Sequence, residues 1–229
     1  MPKTRRIAPG GMVFHVLNRG VGRMRLFDSD ADYAAFERIV EETLEIRPMR
    51  LLAYCLMPNH WHMILYPEGD GDLSSFMQRL SVTHATRWQR FRHRDGTGHI
   101  YQGRFKSFPV ETDAHFYQVV RYVERNPLRA NLVDDLDLWR WSSFWRYRKG
   151  TTRARAILSA WPLARPRKWK THVERPQTEA EQLAIRRCVK RGNPFGSPGW
   201  GTLTVEKLGL QSTLRPRGRP RKYQAEGGG

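Results

Sequence analysis

Acidic residues and cysteines are scarce in this 229-residue chain. Only 22 Asp and Glu stand against 40 Lys and Arg, so the formal net charge is +18. A field of that sign attracts polyanions and favours nucleic-acid binding. The two cysteines, Cys55 and Cys188, lie far apart in the sequence, so the sequence does not support a disulfide framework or a cysteine zinc site. Cys55 stands in an apolar run and is predicted to be a core thiol.

Long apolar runs are missing as well. No segment approaches the roughly 18 residues of a membrane span, and the N-terminal stretch MPKTRRIAPGG lacks the apolar core of a signal peptide. We therefore expect a soluble, cytoplasmic protein without a membrane partner. The phosphate-loop pattern GxxxxGK[ST] is also absent, so no nucleotide cofactor is expected.

The order of apolar patterns predicts β-α-β-β-α-β, followed by a further helix. Strands are predicted over 12–18, 50–56, 60–66 and 104–110. Helices are predicted from Asp28 or Ser29 to Glu45, from Leu73 to Phe91, and from Thr112 to a stop before Pro127. This order is the split βαβ, ferredoxin-like plan of an α+β protein, with an antiparallel sheet and helices on one face.

The chain changes character after about residue 150. We predict one domain over 9–147, a basic extension with short helices over 148–213, and a disordered tail over 214–229. A helix is predicted over 178–190. The tail segment RPRGRPRK resembles an AT-hook, whose Arg217 and Arg219 would enter the narrow minor groove of A·T-rich duplex. A flexible basic arm that contacts only phosphates is the equal alternative.

The first candidate for chemistry is His60-Trp61-His62. Residues i and i+2 of a strand face the same side, so both imidazoles can reach one divalent ion while Trp61 joins the core. Two ligands are an incomplete metal site, however, and a bare H-x-H also describes two partly exposed histidines.

The second candidate is the pair Tyr122 and Asn126, four residues apart on one helix face. A tyrosine can act as a covalent nucleophile, and an Asn side chain can offer a carbonyl oxygen to a metal. A buried tyrosine followed by a helix-terminal Asn explains the same residues without any chemistry.

Basic residues with interleaved aromatics form the third candidate. They lie on loops or strand ends near the predicted sheet, and a positive groove with aromatic stacking suits single-stranded nucleic acid. A merely basic surface is the alternative for each one. The candidates are Arg19, Arg23, Arg25, Arg104 and Lys106.

Three segments together resemble a known family. MPNHWHMILYP, YQGRFKS and RYVERNPLRANLV occur in the order found in REP-associated tyrosine transposases, relatives of the single-tyrosine insertion-sequence transposases within the HUH nuclease superfamily. The resemblance covers roughly residues 9–147, and the segment LGLQSTLRPRGRPRK resembles the end of longer family members.

The resemblance implies a ferredoxin-like catalytic domain in a bacterial, nucleoid-associated protein. It implies a Mg²⁺ or Mn²⁺ ion held by His60 and His62, with Asn126 in the third ligand position, where related transposases often carry Gln. It implies Tyr122 as the nucleophile, a 5′-phosphotyrosine intermediate, and strand transfer without a nucleotide cofactor. The implied substrate is a repetitive extragenic palindrome, a DNA hairpin with a flanking single strand.

Two other functions stay open at this point. One is a non-catalytic binder of hairpin DNA or RNA, although the RNP1 pattern of an RNA-recognition domain is missing. The other is a metal hydrolase that uses His60 and His62 without covalent chemistry. The oligomeric state, monomer or homodimer, is equally open.

Overall fold

A computed structural model describes residues 7–215 except 95 and 97. The four strands are β1 (Val13–Arg19), β2 (Arg50–Met57), β3 (His60–Tyr66) and β4 (Lys106–Val110). The three long helices of the same region are α1 (Asp30–Ile46), α2 (Asp72–Phe91) and α3 (Ala114–Glu124). These elements confirm the predicted order, with shifts of a few residues at their ends.

The strands form one antiparallel sheet in the order β2-β3-β1-β4. β3 is antiparallel to both β1 and β2, so those two strands run parallel, joined by α1 and separated by β3. In the same way β1 separates β3 from β4, which α2 connects. Right-handed crossovers place both connecting helices on one face of the sheet. The ferredoxin-like α+β class is therefore confirmed.

Helices α1 and α2 cover this first face. The Ser29 side chain and the Asp32 carboxylate form a capping box that starts α1. Apolar residues then recur every three or four positions along both helices and pack on Trp61, which is fully buried. The stripes consist of Tyr33, Phe36, Ile39 and Val40 in α1, and Leu73, Phe76, Met77, Leu80 and Trp88 in α2.

Helix α3 lies on the opposite face, so helices cover both faces of the sheet. The expectation of helices on one face holds for α1 and α2 alone. The Asp113 carboxylate accepts a hydrogen bond from the His115 amide at 2.7 Å and caps the start of α3. Phe116, Val119 and Val123 of α3 are buried in the second core, with Cys55 of the sheet, as its apolar run predicts.

The basic extension folds back on the sheet. Two short helices, α4 (Asn126–Arg129) and α5 (Ser143–Lys149), stand between α3 and the extension. The extension itself carries α6 (Thr152–Arg155), α7 (Trp169–Glu174), α8 (Glu179–Arg191) and α9 (Pro198–Lys207). Helix α8 confirms the helix predicted over 178–190.

Both edges of the sheet are covered by the extension. At β2 the Ser159 amide donates to the Leu51 carbonyl at 2.9 Å, and at β4 the Phe195 amide donates to the Pro109 carbonyl at 2.9 Å. Covering the edges removes unpaired backbone groups that would otherwise pair with another chain. These contacts join the extension to the sheet and do not test whether the two are separate domains. The domain boundary between residues 147 and 148 therefore stays a prediction.

Within the described ranges no helix has the length and apolar character needed to cross a membrane.

Candidate active site

The two histidines of β3 stand on the second face, the one that α3 covers. His60 lies opposite Arg19 of β1 in the strand register, and His62 lies opposite Leu17, which pairs in turn with Lys106 of β4. The imidazole centroids of His60 and His62 are 5.1 Å apart and the rings are nearly perpendicular, at 77°. The strand period therefore brings two ring nitrogens to one place on a rigid support.

The proton on His60 is assigned by its neighbour Asn59. The Asn59 amide nitrogen donates to the Arg23 carbonyl at 3.2 Å, so the amide oxygen faces the imidazole. That oxygen can only accept, and His60 Nδ1 lies 2.6 Å from it, so Nδ1 carries the proton. The lone pair of a neutral His60 then stays on Nε2, where a metal ion could bind it.

His62 is oriented by a third histidine, His15 of β1, which the sequence analysis did not single out. His62 Nδ1 lies 2.8 Å from His15 Nε2, and both side chains are buried. If His62 offers Nε2 to a ligand, its Nδ1 proton is donated to His15. Metal-binding histidines are commonly oriented in this way through their second nitrogen. The sequence did hold one signal for His15: Val13, His15 and Leu17 are spaced two residues apart in a strand and therefore share one face.

Burial keeps these imidazoles neutral. Burial, assisted by the charges of Arg19 and Arg129, lowers the pKa of His60 to about 3. Burial likewise lowers the pKa of His62 well below its usual range, assisted by the neighbouring histidines and the same two arginines. Neutral imidazoles with free Nε2 lone pairs are what a divalent ion needs, so the residues present fit a metal.

Tyr122 of α3 is the tyrosine that faces the histidines. Its ring centroid lies 5.9 Å from that of His62 and 6.5 Å from that of His15, both edge-on. Tyr117 is directed elsewhere, because its hydroxyl donates to the Ala164 carbonyl at 2.6 Å. The two tyrosines therefore have separate surroundings, as their spacing of five residues predicts.

Asn126 shares a face with Tyr122, but its side chain is fully engaged. Its amide nitrogen donates to the carbonyls of Tyr122 at 3.3 Å and Val123 at 3.1 Å. Its oxygen accepts a hydrogen bond from Arg129, whose guanidinium carbon lies 4.2 Å from the Tyr122 ring centroid. Arg129 was missed by sequence reasoning, although its spacing of seven from Tyr122 and three from Asn126 indicates the same face.

The extension holds the helix that carries Tyr122. Glu124, two residues on, is fully buried and accepts hydrogen bonds from Ser143 Oγ and Trp169 Nε1, both at 2.7 Å. Burial raises the pKa of Glu124, and these two donors oppose the shift. Arg121 donates to the Arg175 and Pro176 carbonyls just beyond α7. The end of α3 is therefore positioned by Ser143, 19 residues after Glu124, and by residues of the extension that are 45 or more positions away.

Three of the predicted DNA-binding residues line one cleft beside His60. Arg19, Arg104 and Lys106 border a space of about 220 Å³, together with Gln102 and Val189. Arg19 Nε is buried and has no hydrogen-bond partner among residues 7–94, 96 and 98–215.

The other predicted DNA-binding residues are not part of that cleft lining. Arg23 is exposed, and its backbone φ of 63° is one that residues other than glycine seldom adopt. Arg25 is exposed and pairs with Asp28 at 3.1 Å. Arg217 and Arg219 lie outside the described residues.

A carboxylate–histidine group stands at the start of α3. The ligand atoms of Glu111, Asp113 and His115 lie within 4.8 Å of one another, the one group of three such side chains in the part of the chain described. Glu111 accepts from the Ser197 amide at 2.6 Å, and His115 Nδ1 lies 2.8 Å from the Asp113 carboxylate. The group already serves as a helix cap and as a contact to the extension, and it does not include the histidines of β3.

Comparison with known proteins gives consistent matches. The family described as "Transposase IS200 like" matches residues 10–126. The REP-associated tyrosine transposase of Escherichia coli K12 is 27% identical over 138 residues, which cover 60% of this chain and 78% of that protein. A solved structure of a REP-associated tyrosine transposase bound to a REP hairpin matches 72% of this chain and 93% of its own, with a TM-score of 0.53 and 23% identity, and so shows the fold.

The resemblance found in the three sequence segments is thereby confirmed. The family match contains every strand of the sheet, all three candidate histidines, Tyr122 and Asn126. Because that match spans more than half of the chain, this protein belongs to the IS200-like transposase family of DNA-processing enzymes.

Proposed function

We propose that this enzyme cuts and rejoins single-stranded or hairpin DNA through a covalent bond between Tyr122 and the 5′ phosphate of the cut strand. The observation that carries the proposal is the edge contact of the Tyr122 ring with His62, at 5.9 Å between centroids. A relative of the same fold has been solved bound to a REP hairpin, which supports hairpin DNA as the substrate class. That the substrate also carries a flanking single strand is part of the proposal.

The covalent step has the tyrosine and the DNA as its only reactants. The Tyr122 oxygen attacks the phosphorus, the bond from phosphorus to the 3′ oxygen breaks, and the tyrosine proton balances the 3′ oxygen through solvent or a neighbouring base. The products are a 5′-phosphotyrosine and a free 3′ hydroxyl. The number of phosphodiester bonds is conserved, so the 3′ hydroxyl of another strand can reverse the step and join new DNA.

A divalent ion, Mg²⁺ or Mn²⁺, would be held by Nε2 of His60 and of His62, with the Asn126 oxygen as the candidate third ligand. Bound there, it would act as a Lewis acid on a non-bridging phosphate oxygen. The protein's own part is to keep both imidazoles neutral by burial and to fix their tautomers through Asn59 and His15.

Positive charge beside the histidines supports the proposal that a DNA phosphate binds there. Arg19 and Arg129 act electrostatically on both His60 and His62. Guanidinium groups bind phosphate oxygens with charge-assisted hydrogen bonds. We propose that the DNA strand continues from here along the cleft lined by Arg19, Arg104 and Lys106, past the loop of Arg23 and Arg25. Arg217 and Arg219 are proposed to contact duplex DNA.

The test is adduct formation on a hairpin oligonucleotide with a single-stranded flank, in Mn²⁺. We expect a protein–DNA adduct that survives denaturation and maps to the peptide of Tyr122. Tyr122→Phe, which removes only the attacking oxygen, should abolish it. Tyr117→Phe is the matched control and should keep it, since that hydroxyl bonds Ala164. EDTA, His60→Ala and His62→Ala should stop cutting and leave most DNA binding intact.

Other outcomes would select the competing functions. Cutting without any adduct, and unimpaired by Tyr122→Phe, would identify a metal hydrolase. Tight hairpin binding by wild type and Tyr122→Phe alike, with no cutting by either, would identify a DNA-binding protein. An adduct on the peptide of Tyr117 would show that Tyr117 is the nucleophile. The role proposed for Asn126 would then be wrong as well.

A further inference from the structure

We propose that Arg129 withholds Asn126 from the metal site until a DNA phosphate draws the guanidinium away. The inference rests on the proposed function, and it assigns a positioning role to an arginine outside the family match, which ends at residue 126. It makes metal binding and DNA binding depend on one another through a single side chain.

The contacts of Arg129 motivate the proposal. One guanidinium nitrogen, Nη2, donates to Asn126 Oδ1 and the other, Nη1, lies 3.4 Å from the Tyr122 carbonyl. The guanidinium carbon stands 4.2 Å from the centroid of the Tyr122 ring. Arg129 therefore contacts both the proposed nucleophile and the proposed third ligand, and its charge is felt by His60 and His62.

This arrangement is incompatible with full metal coordination by Asn126. The carboxamide is buried at 4% exposure, and its nitrogen is fixed by the Tyr122 and Val123 carbonyls, so the amide cannot simply turn over. Its oxygen is the one group left for a cation. A guanidinium on that oxygen repels a second, divalent cation at the same place. Metal coordination by Asn126 therefore requires Arg129 to leave.

A DNA phosphate is the partner that can draw Arg129 away. Arg129 is only half-buried, and it lies over the ring whose oxygen must approach the phosphorus. A charged phosphate is a stronger partner for a guanidinium than a neutral amide oxygen. The phosphate that Tyr122 attacks would therefore recruit Arg129 and release Asn126. Linkage then requires that bound DNA tightens metal binding by the same factor as the metal tightens DNA binding.

The test measures Mn²⁺ affinity of the full chain without DNA, by electron paramagnetic resonance titration. Arg129→Met keeps the side-chain length and removes the donors and the charge. Arg19→Met is the matched control, because Arg19 also acts by charge on both histidines and has no hydrogen bond to Asn126. Both arginine variants are repeated in the Asn126→Ala background, which separates the loss of a charge from the release of the ligand.

We expect Arg129→Met to tighten Mn²⁺ binding about tenfold beyond the effect of Arg19→Met, since a hydrogen bond to a charged group is removed. This excess should vanish in the Asn126→Ala background. A hairpin oligonucleotide should tighten Mn²⁺ binding to wild type and add little to Arg129→Met. Should Arg129→Met fail to fold, Arg129→Lys, which keeps the charge but not the planar fork, should give a smaller excess of the same sign.

An excess of equal size with and without Asn126 would overturn the proposal, because charge alone would then explain it. No excess at all would overturn it too. A failure of the proposed function would look different: His60→Ala and His62→Ala would bind Mn²⁺ as tightly as wild type, whatever stands at 129.

Discussion

His62 Nδ1 and His15 Nε2 lie 2.8 Å apart in the interior of the protein, although the two residues are 47 positions apart in the chain. Each is buried, with the pKa of His15 lowered to about 3 and that of His62 lowered as well, both chiefly by burial. Two neutral imidazoles therefore share one hydrogen bond, and its direction decides whether Nε2 of His62 carries a proton or a free lone pair.

His15→Phe is expected to weaken Mn²⁺ binding by about 10- to 100-fold, the usual cost of losing a group that orients a ligand. The phenyl ring keeps the volume beside Phe108, whose centroid is 4.8 Å from that of His15. Isothermal titration calorimetry of the folded variant checks this. His84→Phe, at a buried histidine on the other face of the sheet, is the control and should bind Mn²⁺ normally. Equal affinities for all three proteins would refute the orienting role.

Trp169→Phe is expected to lower the free energy of unfolding by about 1–3 kcal/mol, because it leaves one oxygen of buried Glu124 without its donor. Urea denaturation of the full chain measures the change. Trp145→Phe is the control, since that ring lies beneath the Arg140 guanidinium and is only half-buried.

The same variant tests the predicted domain division. A single unfolding transition that shifts as a whole would show that the extension and the Tyr122 helix unfold together. Two separate transitions, with only one affected by Trp169→Phe, would support an independent unit beyond residue 147.

Acid is expected to destabilise the metal-free protein. Burial lowers the pKa of His15, His60 and His84 to about 3, from a value of 6.5 in the unfolded chain. Between those two values the unfolded state binds protons that the folded state refuses, so the free energy of unfolding falls as pH falls. Each histidine contributes up to about 1.4 kcal/mol per pH unit. Burial raises the pKa of Glu124, so this residue has the opposite effect: it lowers the free energy of unfolding as pH rises above the usual pKa of a glutamate.

Urea denaturation at pH 7.5 and 5.5 in EDTA measures this loss. His84→Gln is expected to be less stable than wild type at pH 7.5, because the His84–Tyr101 hydrogen bond of 2.6 Å is altered. Its loss between the two pH values should be smaller by about 1.4 kcal/mol. A variant with the wild-type pH dependence would show that His84 does not titrate as its burial predicts.

DNA affinity is expected to fall steeply with ionic strength, because the chain carries a net charge of +18. Lys106→Gln, in the cleft beside His60, should reduce the slope of log K against log salt by about 0.7 on a single-stranded oligonucleotide. Fluorescence anisotropy from low to moderate salt measures it. Lys149→Gln, an exposed lysine at the end of α5, removes the same charge away from that cleft and should leave the slope unchanged. Equal slopes for wild type and Lys106→Gln would remove Lys106 from the DNA path.

The local parts of the site were readable from the sequence, because they depend on short periods. Residues i and i+2 of a strand share a face, so His60 and His62 converge wherever that strand lies. The capping box of Ser29 and Asp32 and the cap at Asp113 depend on neighbouring residues for the same reason. The β-α-β-β-α-β order then limits the topologies available, since crossovers are right-handed.

Only the tertiary structure decided what surrounds those parts. His15 meets His62 because β1 pairs with β3 in one register, and a shift of a single residue would turn it to the other face. Glu124 finds its donor Trp169 45 positions along the chain, and Phe195 bonds Pro109 at the edge of β4 across 86 positions. No local pattern specifies such pairings. They form because a buried carboxylate and an open sheet edge each need partners, and folding brings those partners from distant parts of the chain.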